Sequence, residues 1–139
     1  MINDKQLIQE AFKAREKSYS PYSAFQVGAA LLTASGKVYQ GCNIENAAFG
    51  PSNCAERTAF FKAISEGERD FISIAVVGGP AGKVAGDLDY TPPCGVCRQV
   101  MAEFCDPDRF RILLAKSADD YFSLSLKELL PYSFSLDRD

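Results

Sequence analysis

The chain has 139 residues, 47% of them hydrophobic, and a formal net charge of −3. That is the length of one ordinary domain with enough apolar side chain for a core, so a single folded unit over residues 1–139 is expected rather than a disordered chain. Lysine and arginine are scattered rather than gathered into a basic face, and no apolar run is long enough to cross a bilayer, which argues against a nucleic-acid partner and against a membrane-spanning chain.

The first residues, Met1-Ile2-Asn3-Asp4-Lys5-Gln6, are polar and include an acid, unlike a secretory or transit leader, so a cytoplasmic protein is expected. Leu7, Ile8, Ala11, Phe12 and Ala14 recur at helical spacing and predict a helix over Asp4–Lys17, capped by Asn3 or Asp4 and ended before Ser20-Pro21. Phe25–Thr33 and Lys37–Asn43 read as strands joined through Ala34-Ser35-Gly36 as a hairpin. After a loop over Ile44–Ser52, a helix is predicted over Cys54–Glu66, capped by Ser52 or Asn53 and closed by Gly67. Phe71–Val77 is a continuous apolar run, as expected of a strand buried on both faces. Gly78–Pro93 is rich in Gly, Pro and Asp and reads as a loop. Cys94 begins a helix to Phe104, Arg111–Ala115 is a strand, Tyr121–Ser123 a short one, and Ser125–Leu130 a last short helix. This order predicts an α/β domain of three layers, a mixed sheet of about five strands covered by helices, with the hairpin antiparallel and the strands separated by helices parallel.

Five cysteines and no histidine constrain the chemistry. An odd count without a leader is a poor disulfide framework and a better metal or catalytic set. Acid–base work must fall to carboxylates, thiols, tyrosines or lysines. Cys94-Gly95-Val96-Cys97 alone is compatible with a redox dithiol, half a zinc site or a coincidence of spacing. Together with Cys54, at another helix start, it supplies three ligands of a tetrahedral zinc site, with thiolates favoured at helix N-termini. Cys105 lies eight residues beyond Cys97, about 12 Å along a continuing helix and too far to share the metal. Cys42 can be a fourth ligand or, like Cys105, a small buried apolar group. If it is the latter, the fourth position is left to water, the mark of a catalytic site. Glu56 then reads either as the base for that water or as an acid complementing the helix dipole. Positions i and i+2 face apart within a helix, so the first reading requires Cys54 to lie just outside it. Arg57, adjacent to Glu56, and Arg98, adjacent to Cys97, are candidates to donate hydrogen bonds to the sulfurs, or are solvated arginines on helix faces.

Cys54-Ala55-Glu56 followed by Pro93-Cys94-Gly95-Val96-Cys97 resembles the zinc signature of the deaminases in the form where a third cysteine replaces histidine. Tyr22-Ser23-Ala24-Phe25-Gln26-Val27-Gly28-Ala29-Ala30, Gly41-Cys42-Asn43-Ile44-Glu45-Asn46-Ala47, Cys54-Ala55-Glu56-Arg57-Thr58-Ala59 and Glu128-Leu129-Leu130-Pro131-Tyr132-Ser133-Phe134 are similar to the small homotetrameric cytidine deaminases, in register over nearly the whole chain. The resemblance implies that fold, one Zn²⁺ per subunit, and hydrolysis of cytidine and deoxycytidine to uridine and deoxyuridine plus ammonia, as in pyrimidine salvage. Glu56 would take a proton from the metal-activated water, the hydroxide would attack C4, and Glu56 would pass protons to N3 and the departing amine. Asn43 and Glu45 would bind the ribose hydroxyls, Phe25 would stack near the pyrimidine, backbone groups around Ala55 and Cys94 would read the base edge, and Phe134 would reach into a neighbouring subunit's site. Two departures stand out: Phe49 where many relatives have tyrosine, and a loop over 78–92 longer than in compact members. A related deaminase of the blasticidin-S type would keep the zinc motifs and change the sugar-binding loop; Asn43-Ile44-Glu45-Asn46-Ala47 and Arg57 favour cytidine. A non-catalytic zinc module would need four protein ligands.

Overall fold

The computed structural model describes residues 1–136. Helix α1 (Asp4–Arg15) starts at a reciprocal cap: Asn3 accepts from the Gln6 N–H and the Gln6 side chain accepts from the Asn3 N–H, both at 2.9 Å. Strands β1 (Phe25–Thr33) and β2 (Val38–Cys42) form the expected antiparallel hairpin, with Leu31 opposite Tyr39 and Gly28 opposite Cys42. Helix α2 (Ala55–Ser65), strand β3 (Phe71–Pro80), helix α3 (Gly95–Phe104), strands β4 (Arg111–Ser117) and β5 (Asp120–Ser125) and helix α4 (Leu126–Leu129) follow. The sheet order is β2-β1-β3-β4-β5, mixed as expected: β1 is antiparallel to both neighbours, β3 and β4 run parallel, and β5 returns antiparallel to β4.

Strand alternation sorts the core into two layers. Ala30, Leu32, Ala75, Val77 and Leu113 face α1, where they meet Leu7, Ile8 and Ala11. Ala29, Leu31, Ile74, Val76, Ile112 and Leu114 face the other side, against Ala59, Phe60 and Ala63 of α2 and Met101 of α3. Two glycines set how closely the helices approach. A Cβ on Gly28 would lie 2.1 Å from the Ala11 carbonyl oxygen, and one on Gly41 would lie 2.3 Å from that of Ala55 and 2.5 Å from the Ala59 nitrogen. The second approach presses the start of α2 onto the end of β2.

Several boundaries differ from the sequence reading. β3 runs three residues further, through Gly78, Gly79 and Pro80, because β1 offers Val27, Gln26 and Phe25 as pairing partners that the Gly-Gly-Pro composition conceals. β4 extends to Ser117 and β5 fills out to Asp120–Ser125, each completing the other's ladder. α1 stops at Arg15, whose buried guanidinium donates to the carbonyls of Gln26, Gly79, Pro80 and Lys83 and so ties the 81–87 loop to the sheet. α4 covers Leu126–Leu129, with Ser125 and Glu128 forming its cap. Neither Ser52 nor Asn53 caps α2: Asn53 is bridged to Ile44 and its side chain donates to Thr58, which leaves Cys54 as the cap.

Candidate active site

The N-termini of α2 and α3 converge on one point. Cys54 and Cys94 are the two cap residues, both extended (φ −78°, ψ 156° and φ −68°, ψ 167°), and Cys97 lies buried in the first turn of α3. The Cys54 and Cys94 sulfurs are 3.7 Å apart, those of Cys94 and Cys97 3.4 Å apart, and all three lie within 4.8 Å of one another. Tetrahedral zinc with Zn–S bonds of about 2.3 Å needs sulfurs about 3.8 Å apart, so the donor set fits zinc. The Cys97 N–H donates to the Cys94 sulfur at 3.5 Å and no side chain caps α2, so both helix ends direct N–H groups and positive dipole ends toward thiolates. Hydrogen bonds from Cys97, Arg57 and Cys94 hold the Cys54 thiol down to about 5.

The extended cap removes the i, i+2 conflict. Cys54 turns aside before the helical dihedrals begin, and Glu56, only 4% exposed, shares a cleft with it. Burial pushes the Glu56 carboxyl up to about 7, and the neighbouring Cys54 charge adds to the effect. Arg57 Nη2 donates to the Cys54 sulfur at 3.2 Å. Arg98 does not join it: its guanidinium donates to the carbonyls of Pro93 (2.8 Å) and Leu129 (2.6 Å), anchoring the start of α3 to α4. Cys42 lies outside the sulfur cluster, its thiol directed at the Lys17 carbonyl, and Cys105 ends α3, with its thiol pushed up to about 12 by burial.

Cys54, Cys94 and Glu56 open into a cleft of about 370 Å³, with Cys97 buried behind them. Asn43, Glu45 and Ala55 line it, as does Phe49, whose ring is 94% exposed. Asn43 is held by three protein contacts: Oδ1 accepts from Ser18 Oγ and from the Val27 N–H (2.9 Å), and Nδ2 donates to the Phe25 carbonyl (2.8 Å). Those bonds fix the amide's orientation and leave one Nδ2 hydrogen for a ligand. Glu45 accepts from the N–H groups of Tyr22 and Ser23 and from the Ser23 hydroxyl, which hold its carboxyl below the usual range. The Phe25 ring is not part of the cleft lining; it packs beside Gly78 next to Thr91, which is. Phe134 is 68% exposed, with its carbonyl accepting from Gln99, and it does not reach this cleft within one chain.

The sequence does not point to Val27, Ser52, Asn53, Thr91 and Pro92 as wall residues. Thr91 and Pro92 immediately precede Pro93-Cys94, and that adjacency was the available signal. Val27 and Asn53 become neighbours only through the β1–β2 pairing and the Ile44–Asn53 bridge.

Residues 1–112 match the model of the cytidine and deoxycytidylate deaminase zinc-binding region. The chain belongs to this deaminase family. It is 52% identical over 136 residues to a cytidine deaminase of Halalkalibacterium halodurans, covering 98% of this chain and 97% of that protein. The crystal structure of a cytidine deaminase from Burkholderia pseudomallei superposes with a TM-score of 0.84 at 47% identity, covering 96% of this chain and all of that one. A blasticidin-S deaminase of Bacillus cereus is a more distant relative, 28% identical over 133 residues. Membership of this zinc-dependent family and the three-sulfur cluster agree on the metal.

Proposed function

We propose that this deaminase hydrolyses cytidine and deoxycytidine to uridine and deoxyuridine, releasing ammonia, with Cys54, Cys94 and Cys97 as the zinc ligands and Glu56 as the proton carrier. The observation that carries the reading is Glu56: a buried carboxylate in one cleft with Asn43, Glu45, Cys54 and Cys94, the last two belonging with the buried Cys97 to a cluster of three sulfurs at zinc spacing. Zinc, when bound, acts as a Lewis acid that makes water a nucleophile near neutral pH. Glu56 takes one proton of the attacking water and gives it to N3 of the base as the C4–O bond forms, then takes the remaining proton from the new C4 hydroxyl and delivers it to the amine as the C4–N bond breaks, leaving the C4 carbonyl and ammonia. A carboxyl raised toward neutrality can do both. Arg57, bonded to Cys54, offsets the negative charge of three thiolates. The free Nδ2 hydrogen of Asn43 and the remaining acceptor position of Glu45 take ribose hydroxyls, and backbone groups of Ala55 and Cys94 read the base edge. Phe25 backs the cleft wall behind Thr91, near the pyrimidine. Phe134, exposed in one copy, completes the site of a neighbour in a homotetramer that works in the cytoplasm. One domain over residues 1–139 carries the activity, its last three residues lying outside those described.

The test is the fall in ultraviolet absorbance as zinc-loaded protein converts cytidine to uridine. Turnover of cytidine well above that of blasticidin S is expected; the reverse order, or no turnover of cytidine, overturns the reading.

A further inference from the structure

Before β1 the chain makes a tight turn in which the Ala24 N–H donates to the Ser20 carbonyl at 3.0 Å and Ala24 itself is left-handed (φ 55°). This turn wraps the Glu45 carboxylate. Oε1 accepts from the Tyr22 N–H at 3.0 Å and from the Ser23 N–H at 3.1 Å, while Oε2 accepts from the Ser23 hydroxyl. The Phe25 N–H donates to Ser23 Oγ at 3.0 Å, so the serine oxygen already has its donor and its own proton is directed at Glu45. An ionised carboxylate has about four acceptor positions. Three are filled from the turn, and the one that remains is on Oε2, the oxygen that Ser23 fixes. Glu45 itself lines the cleft, and Ser23 does not.

We propose that Ser23 is the positioning residue for Glu45, aiming its last free acceptor site at a sugar hydroxyl. The proposal rests on the reading of Glu45 as a ribose ligand. A glutamate on a loop would otherwise have to give up its rotamer freedom when substrate binds, and the turn has removed that freedom beforehand. The Ser23 bond also keeps the carboxyl below the usual range, so it meets the hydroxyl as an acceptor only. Ser23 touches neither the base nor the metal ligands, and its loss therefore weakens sugar binding without changing the chemical step.

The test measures kcat and KM on cytidine and on 2′,3′-dideoxycytidine for the zinc-loaded wild type, Ser23→Ala, Ser23→Thr and Glu45→Ala. Loss of the positioning effect predicts that Ser23→Ala raises KM for cytidine about three- to tenfold with kcat little changed. The same variant should leave KM for the dideoxynucleoside unmoved. Ser23→Thr, which keeps the hydroxyl, should restore the cytidine value, and Glu45→Ala should abolish most of the preference for cytidine. If Ser23→Ala raises both KM values equally, or moves neither while Glu45→Ala abolishes the preference, the role of Ser23 is overturned and that of Glu45 stands. If Glu45→Ala keeps the full preference, the reading of Glu45 falls and takes the Ser23 proposal with it.

Discussion

Glu56 is the second residue of α2, and its burial at 4% exposure makes it costly to keep charged. Replacing it by glutamine keeps shape and hydrogen bonding but removes the ability to carry a proton. Glu56→Gln should therefore retain one zinc per chain, measured by metal analysis, while kcat on cytidine falls by at least about 10²–10⁴-fold; wild-type turnover in that variant would refute the assignment. Arg57→Gln removes the donor 3.2 Å from the Cys54 sulfur. A loss of about 10–100-fold in zinc affinity or activity is expected, checked by competition with a chelator of known affinity. The three cysteines were readable as candidate ligands from their spacing, and Glu56 as a candidate base only through the family resemblance, since spacing alone left it equally a partner of the helix dipole. The choice between Arg57 and Arg98 was not readable, since it depends on the carbonyls of Pro93 and Leu129, which the fold brings to Arg98.

Elements matter here chiefly through how closely they approach. α2 carries Cys54 and Glu56 into the site, and Gly41 of β2 lets it sit against the sheet. A methyl group at Gly41 would fall 2.3 Å from the Ala55 oxygen, against backbone that has nowhere to flex cheaply, so α2 must move. Gly41→Ala should cost about 1–3 kcal/mol of stability by urea titration and reduce kcat under conditions where the protein remains folded. At the other side of the sheet, Asp4 at the start of α1 pairs with Arg111 of β4, with contacts of 2.8 and 3.1 Å. The hydrogen bond and charge of Arg111 hold the Asp4 carboxyl below its usual value. Because the folded value is the lower one, the pair's contribution is present above the unfolded carboxyl range, near pH 4, and is lost as pH falls through the folded value. Both side chains are partly exposed, so Asp4→Asn should cost less than about 1 kcal/mol at pH 7 and nothing in strong acid. Helix and strand positions followed from periodicity. The ends that sequence misplaced, at Pro80, Ser117 and Arg15, are those where the decisive partners, a neighbouring strand or the carbonyls that the Arg15 guanidinium reaches, are distant in sequence.

At the scale of the whole molecule, one copy leaves Phe134, Tyr132 and Phe49 largely exposed. Light scattering should find four copies, and Phe134→Ala should lower activity; a fully active monomer would contradict the shared site. The layered architecture was legible from the order of elements, whereas the position of β1 between β2 and β3 was not, since no local pattern dictates which strand a β-run pairs with. The three sulfurs have a further consequence for folding itself. Cys54 and Cys94 are 40 residues apart, with all of α2 and β3 between them. A metal held by both closes that stretch into a ring, acting on the unfolded chain much as a disulfide would. The loop-closure entropy for that length corresponds to about 4 kcal/mol if the unfolded chain kept the metal, and zinc that instead leaves on unfolding stabilises through its binding free energy. Chelation should lower the urea midpoint of the wild type and leave that of Cys54→Ser almost unmoved, so the catalytic ion is at the same time the cross-link that this disulfide-free chain otherwise lacks.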